Sequence, residues 1–202
     1  MSPVNAVPAK LVADLRARTG AGMMDCKKAL EEMGGDIEKA VELLRTRNVA
    51  KADKRAGREA AEGLIEAYVH FNGRVAVLVE LNCETDFVAR TDAFRQLAKD
   101  VALHIASAAP IAVRIEDVPT AVVDTERRIY EAQVAEEKKP DAVKAKIVEG
   151  RMKKFYEERV LLEQQFVKDD KRTVGDLVRV LAAQTGENVR VRRFARFELG
   201  GV

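Results

Sequence analysis

Asn72-Gly73 separates two runs, GLIEAYVHF (63–71) and RVAVLVELNC (74–83), that alternate with a period of two in a chain otherwise spaced for helices. An Asn-Gly pair between alternating runs is the strongest short-range hairpin signal, because a tight two-residue turn takes positive φ at both positions. On the second run Val75, Val77, Val79 and Leu81 project to one side, which predicts the core face. A third strand is expected over Val189–Leu199. Its alternation is imperfect: Val191, Ala195 and Phe197 share a face with Arg193, while Phe194 faces away. That irregularity predicts an edge strand or a bulge. The fold class is therefore α+β, with a small antiparallel sheet of about three strands packed with helices.

The residues ahead of the hairpin predict a three-helix module over 1–50. Pro8 starts a helix with Leu11 and Leu15 on one face, and Thr19-Gly20-Ala21-Gly22 breaks it. Met23, Cys26, Leu30 and Met33 form the stripe of a second helix, which places Met23 in the core. Gly34-Gly35 ends that helix and Asp36 caps a third, whose inward stripe is Ile37, Ala40, Val41 and Leu44. Residues 51–62 are charged and Ala-rich and read as a basic linker carrying Lys51, Lys54, Arg55 and Arg58. That linker is either a solvated face or a contact for an acidic partner. Residues 63–202 form the core domain.

Within it, 93–108 carries Phe94, Leu97, Ala98, Val101 and Ile105 on one stripe. Two long charged helices follow, 121–138 and 141–160, meeting at Lys139-Pro140. Their narrow stripes (Val122, Ile129, Gln133; Val148, Met152, Phe155) predict a protruding helical hairpin over 121–160. A last helix covers 173–184, with Val174, Leu177, Val178 and Leu181 inward.

Several function classes are excluded by composition. Lys plus Arg number 35 against 33 acids, a net charge of +2, too balanced for a general nucleic-acid binder. No apolar run reaches the length of a membrane span and no basic start precedes an apolar block, so a cytoplasmic protein is expected. Cys26 and Cys83 lie far apart, which predicts two buried thiols and no disulfide or metal pair. His70 and His104 have no ligand-spaced partner, and no phosphate-binding GxxxxGK[ST] occurs. His70 is expected on the sheet and His104 on a helix at the core margin. No catalytic residue, metal or cofactor is assigned, and the chain is not expected to be an enzyme.

Six motifs then occur in order: TGAGMMDCKKAL (19–30), KADKRAGREAAEG (51–63), NCETDFVAR (82–90), VEGRMKKFYEE (148–158), QFVKDDKRTV (165–174) and RFELG (196–200). Together they make the chain resemble the translation elongation factor Ts family, in its short form, from about residue 8 to 200. The resemblance implies a guanine-nucleotide exchange factor for elongation factor Tu. It implies that the N-terminal module is similar to ubiquitin-associated modules and docks on the nucleotide domain of Tu. Met24, Lys27 and Lys28, off the predicted core stripe, are the docking candidates. It also implies that Thr85, Asp86, Phe87 and Val88 disturb the Mg²⁺ site of Tu, with the Phe wedged between its helices. The residues by themselves leave Phe87 open between core and exposed anchor, and Asp86 between helix cap and partner contact. Longer members carry two related core subdomains and this chain has room for one, which implies a homodimer, with the edge strand at 189–199 a place for pairing. No direct nucleic-acid or membrane contact is expected. The competing reading is an RNA- or ribosome-binding protein, supported by Arg190, Arg192, Arg193 and Arg196 beside Phe194 and Phe197.

Overall fold

The computed structural model describes residues 7–55 and 57–201, the side chains of 48, 49 and 51–53 excepted. The side chain of Lys51, and residues 1–6 of the first predicted segment, lie outside that description. The elements run α1 (Ala9–Thr19), α2 (Met23–Glu32), α3 (Ile37–Asp53), β1 (Glu62–Val69), β2 (Val75–Cys83), α4 (Asp86–Ala89), α5 (Asp92–Ala108), a 3₁₀ turn (Ile115–Asp117), α6 (Thr120–Ala135), α7 (Asp141–Arg159), β3 (Gln165–Phe166), β4 (Asp169–Thr173), α8 (Val174–Thr185) and β5 (Arg190–Glu198). The α+β class is as the patterning predicts. Two compact units divide the chain: Met1–Ile65 with Glu80–Ala98 and Leu177–Val191, and Glu66–Val79 with Lys99–Asp176 and Arg192–Val202.

In the first unit, α1–α3 share one apolar core of Val12, Leu15, Ala21, Cys26, Ala29, Leu30, Ala40 and Leu44. Local chemistry ends each helix. The Gly20 N–H closes α1 onto Arg16 O, Gly34 and Gly35 follow α2, and Asp36 Oδ1 accepts from Lys39 N at 3.1 Å to start α3. One expectation fails here: Met23 is 51% exposed. It occupies the first position of α2, and helix side chains lean toward the N-terminus, so Met23 reaches past the end of the packed pair. Elsewhere in this unit Leu81, Cys83, Phe94, Ala98, Leu181 and Val189 are buried.

The three-stranded sheet has the order β1-β2-β5, so β5 is an edge strand as expected. The hairpin forms, but its turn differs from the expected one. Gly73 N donates to His70 O at 2.8 Å and His70 N to Val75 O at 2.9 Å. Only Gly73 takes a positive φ, 68°. Asn72 stays in the ordinary region and accepts from Arg74 N through Oδ1. The connection is a longer turn closed by one left-handed glycine. Gly63 has a different reason to be glycine. A Cβ there would lie 2.1 Å from Leu81 O, so the two strands approach too closely for any side chain.

In the second unit, Val118, Val134, Val148, Met152, Phe155 and Val160 form a core, with Val123, Tyr130 and Tyr156 packed against it. The α7 stripe is the expected one and the α6 stripe is not. Val122 and Ile129 are exposed, and Gln133 is an exposed acceptor for Arg151. The rival set Val123, Tyr130 and Val134 has helical spacing offset by one residue, and periodicity alone could not separate the two. The β3–β4 hairpin has strands of only two and five residues, too short for a periodic signal in the sequence. It buries Phe166 near the ring of His104, which is itself fully buried, where the sequence placed it at the core margin. Val77, Val79, Val101 and Ile105 are buried here as expected. No helix among the described residues is long and apolar enough to cross a membrane.

Candidate partner-binding site

The segment 85–88 begins where β2 ends. Cys83 is buried and its Sγ donates to Thr85 O at 3.1 Å. Thr85 has extended backbone and caps α4, its Oγ1 accepting from Val88 N at 3.4 Å. The Val88 carbonyl then accepts from Thr91 N at 3.0 Å and Thr91 Oγ1 at 2.8 Å. Thr91 Oγ1 in turn accepts from Phe94 N, opening α5. The single helical turn of α4 is thus pinned at both ends by threonine side chains.

That turn has one inward side, filled by Ala89 and half-buried Val88. The opposite side carries Phe87, 77% exposed. The structure therefore decides the alternative left open by the sequence: Phe87 is a surface aromatic. Leaving a Phe in water forgoes roughly 1.5–3 kcal/mol of burial, which a partner's pocket can recover. Asp86 is not the helix cap, since Thr85 holds that place. Asp86 Oδ2 instead pairs with Arg90 at 2.8 Å, one turn on. An exposed pair of this spacing contributes about 0.3–0.5 kcal/mol, so Asp86 can exchange it for another cation at little cost.

Two carboxylates surround the start of the segment. Glu187 accepts from Glu84 N and Thr85 N, both at 3.1 Å, and from Thr85 Oγ1 at 2.6 Å. Glu84 Oε1 accepts from Asn188 N at 2.6 Å and from Arg58 Nη1 at 3.4 Å. Burial, aided by the negative charge of Glu187, pushes the Cys83 thiol up to about 11. The thiol is therefore a structural donor.

The second candidate region is α2. Met24 is 61% exposed beside the exposed Met23, and Lys27 and Lys28 are also exposed on this helix. Lys27 lies 3.8 Å from Glu31, a weak pair. Below them Cys26 is buried, its Sγ donating to Ala21 O at 3.7 Å. Two adjacent exposed methionines flanked by ammonium groups form an adaptable apolar surface with a cationic border. The sequence assigned Met23 away from this surface, and only the burial of the module reveals that it belongs there.

In the basic stretch 51–62, Arg55 and Arg58 are engaged within the chain and Lys54 is exposed. Arg55 Nη1 donates to Ala182 O at 3.2 Å, Arg58 pairs with Glu84, and Asn188 Nδ2 donates to Arg58 O at 2.8 Å. The strand arginines are partly engaged as well. Arg190 donates to Ala60 O, and Arg196 donates to Ala106 O and pairs with Glu198. Among the described residues no cluster of three or more His, Cys, Asp or Glu could hold a metal ion.

Comparison with known proteins agrees with the family resemblance. The family model described as Elongation factor TS matches residues 9–201. A protein named Elongation factor Ts from Thermosipho melanesiensis is 53% identical over 194 residues, 96% of this chain and 99% of that protein. One of the same name from Carboxydothermus hydrogenoformans is 56% identical over 194 residues, covering 96% of this chain and 89% of its own length. Another from Thermotoga petrophila is 55% identical over 190 residues, 94% of each chain.

Proposed function

This chain belongs to the elongation factor Ts family of translation elongation factors, and on that premise we propose that it is a guanine-nucleotide exchange factor for elongation factor Tu, working in the cytoplasm. The observation that carries the reading is Phe87, an exposed aromatic on a helical turn pinned at both ends.

The reaction makes and breaks no covalent bond. The factor and GDP each bind Tu and disfavour one another, and by linkage each lowers the other's affinity by the same factor. Docking through Met24, Lys27 and Lys28 holds the factor on Tu. Phe87, with Val88 behind it, enters a pocket that opens only in a Tu conformation holding GDP poorly. Asp86 competes for donors around the Mg²⁺, a cation held largely by phosphate oxygens and therefore sensitive to small shifts. Thr85 sets the turn. Tu holds the nucleotide, so the scarcity of His, Ser and Cys in this chain fits the role.

A homodimer belongs to the same reading. Val69, Leu78 and Phe197 are exposed on β1, β2 and β5, Leu199 is exposed just past β5, and Phe71 stands 93% exposed at the hairpin tip. An apolar group of this size on a sheet ending in a free edge suits a second copy of the chain. RNA or ribosome binding through β5 is less well supported, since Arg190 and Arg196 already serve backbone carbonyls.

The test is release of a fluorescent GDP from purified Tu. Wild type accelerates release, and Phe87→Ala loses at least tenfold with an unchanged circular dichroism spectrum. Absence of acceleration at micromolar wild type overturns the proposal.

A further inference from the structure

We infer that Glu187 is a positioning residue for the 85–88 segment: its carboxylate, delivered from the turn between α8 and β5, fixes the conformation in which Phe87 is presented. This rests on the reading of that segment as the exchange wedge.

A four-residue helical turn is too short to hold itself, because nucleation is unfavourable and no propagation follows. Phe87 makes little packing that could hold it, being 77% exposed. Its direction is therefore set by the backbone, and the backbone by its anchors. Thr85 is the N-terminal anchor, and its hydroxyl has one proton. That proton goes to Glu187 Oε1 at 2.6 Å, leaving a lone pair aimed at Val88 N. The same carboxylate takes the amides of Glu84 and Thr85 on Oε2, both at 3.1 Å. Three donors from two consecutive residues thus converge on one anionic group. Hydrogen bonds to a charged acceptor are about twice as strong as neutral ones.

Glu187 is itself held. Its N–H donates to Thr185 Oγ1 at 3.4 Å, and the next residue, Asn188, gives its N–H to Glu84 Oε1 at 2.6 Å. Glu84 and Glu187 therefore clasp each other's strand ends reciprocally, Glu187 taking two amides of the facing segment and Glu84 taking one. Arg58 joins the clasp through Glu84, and its carbonyl accepts from Asn188 Nδ2. The chain leaving the N-terminal module and the segment presenting Phe87 meet at this pair of acids.

The experiment measures GDP release from Tu across factor concentration, separating maximal rate from half-saturating concentration, for wild type, Glu187→Gln, Thr85→Val and the double variant. Backbone hydrogen exchange of the same four proteins is followed at Glu84, Thr85 and the amides of α1–α3. Glu187→Gln keeps the volume but presents an amide to three donors. The expected result is a maximal rate about tenfold lower with half-saturation within twofold, the size of one lost charge-assisted bond. Exchange at Glu84 and Thr85 rises about tenfold while α1–α3 do not change. The double variant loses no more than the worse single one, because both remove the same link. A maximal rate within twofold of wild type, losses that multiply, or a loss accompanied by faster exchange throughout the chain overturns the inference. If Glu187→Gln does not fold, Thr85→Val decides alone, and a wild-type maximal rate there overturns it. If wild type itself fails to release GDP, the exchange reading falls, and faster exchange at Glu84 and Thr85 still upholds the positioning role while its absence overturns it.

Discussion

The thiol of Cys83 donates to the carbonyl of Thr85 at 3.1 Å, so a buried sulfur is tied to the cap of α4. Burial and the charge of Glu187 hold that thiol protonated up to about pH 11. An unfolded chain releases the proton near pH 8.5. Because the native state keeps a proton that the unfolded state gives up, stability from this group is complete below about pH 8.5 and is lost as pH rises toward 11. Urea midpoints of wild type and Cys83→Ala, measured from pH 8 to 11, should therefore converge. Iodoacetamide at pH 7.5 should leave Cys83 unmodified in the native protein and alkylate it in urea.

His104 responds in the opposite direction. Its Nδ1 accepts from Val167 N at 3.3 Å, so the proton sits on Nε2, 2.9 Å from Gln164 Oε1. Burial holds its pKa below the ordinary histidine value. The unfolded chain takes up a proton near pH 6.5 and the native state does not. Stability present above pH 6.5 is thus lost as pH falls through that range. The denaturation midpoint of wild type should drop between pH 7.5 and pH 5 by more than that of His104→Gln, and equal drops would contradict the assignment.

The exposed pair on α2 predicts a docking defect without a chemical one. Met24→Ala combined with Lys27→Glu should raise the half-saturating concentration for GDP release about tenfold, since an apolar anchor and a cationic border are both removed. The maximal rate should stay near wild type. A reduced maximal rate at unchanged half-saturation would place these residues elsewhere in the mechanism.

Ala109 follows α5 with φ of 47°, its N–H donating to Ile105 O at 3.1 Å. A left-handed alanine costs about 1–2 kcal/mol, part of which glycine returns as unfolded-state entropy. Ala109→Gly should stabilise the protein by about 0.5–1 kcal/mol, read as a melting temperature raised by roughly 1–3 °C.

Much of the fold was legible because periodicity is local. Ile37, Ala40, Val41 and Leu44 declare a helix face wherever they occur, and Val77, Val79 and Leu81 declare a strand face. Periodicity misleads where two stripes have equal local merit. The Val122–Ile129–Gln133 and Val123–Tyr130–Val134 stripes of α6 differ by one residue, and only packing against Met152 and Phe155 selects the second. Met23 has the right spacing for a core stripe, yet its helix begins there and its side chain is exposed. The motif 85–88 was found by its resemblance to a family. Its anchors were not, because Glu187 lies about a hundred residues away and no spacing rule connects it to Thr85.

By itself, then, the sequence determined the α+β class, the order of most elements and the family, and it singled out the segment 85–88. These rest on patterns that repeat within a few residues or on motifs read along the chain. Only the tertiary structure decided that Phe87 faces water, that Met23 joins Met24 at the surface, and that the Glu187 carboxylate holds the start of the 85–88 turn while Glu84 holds Asn188. Exposure and charge-assisted hydrogen bonds depend on which distant segments meet, and that is set by the burial of the whole chain.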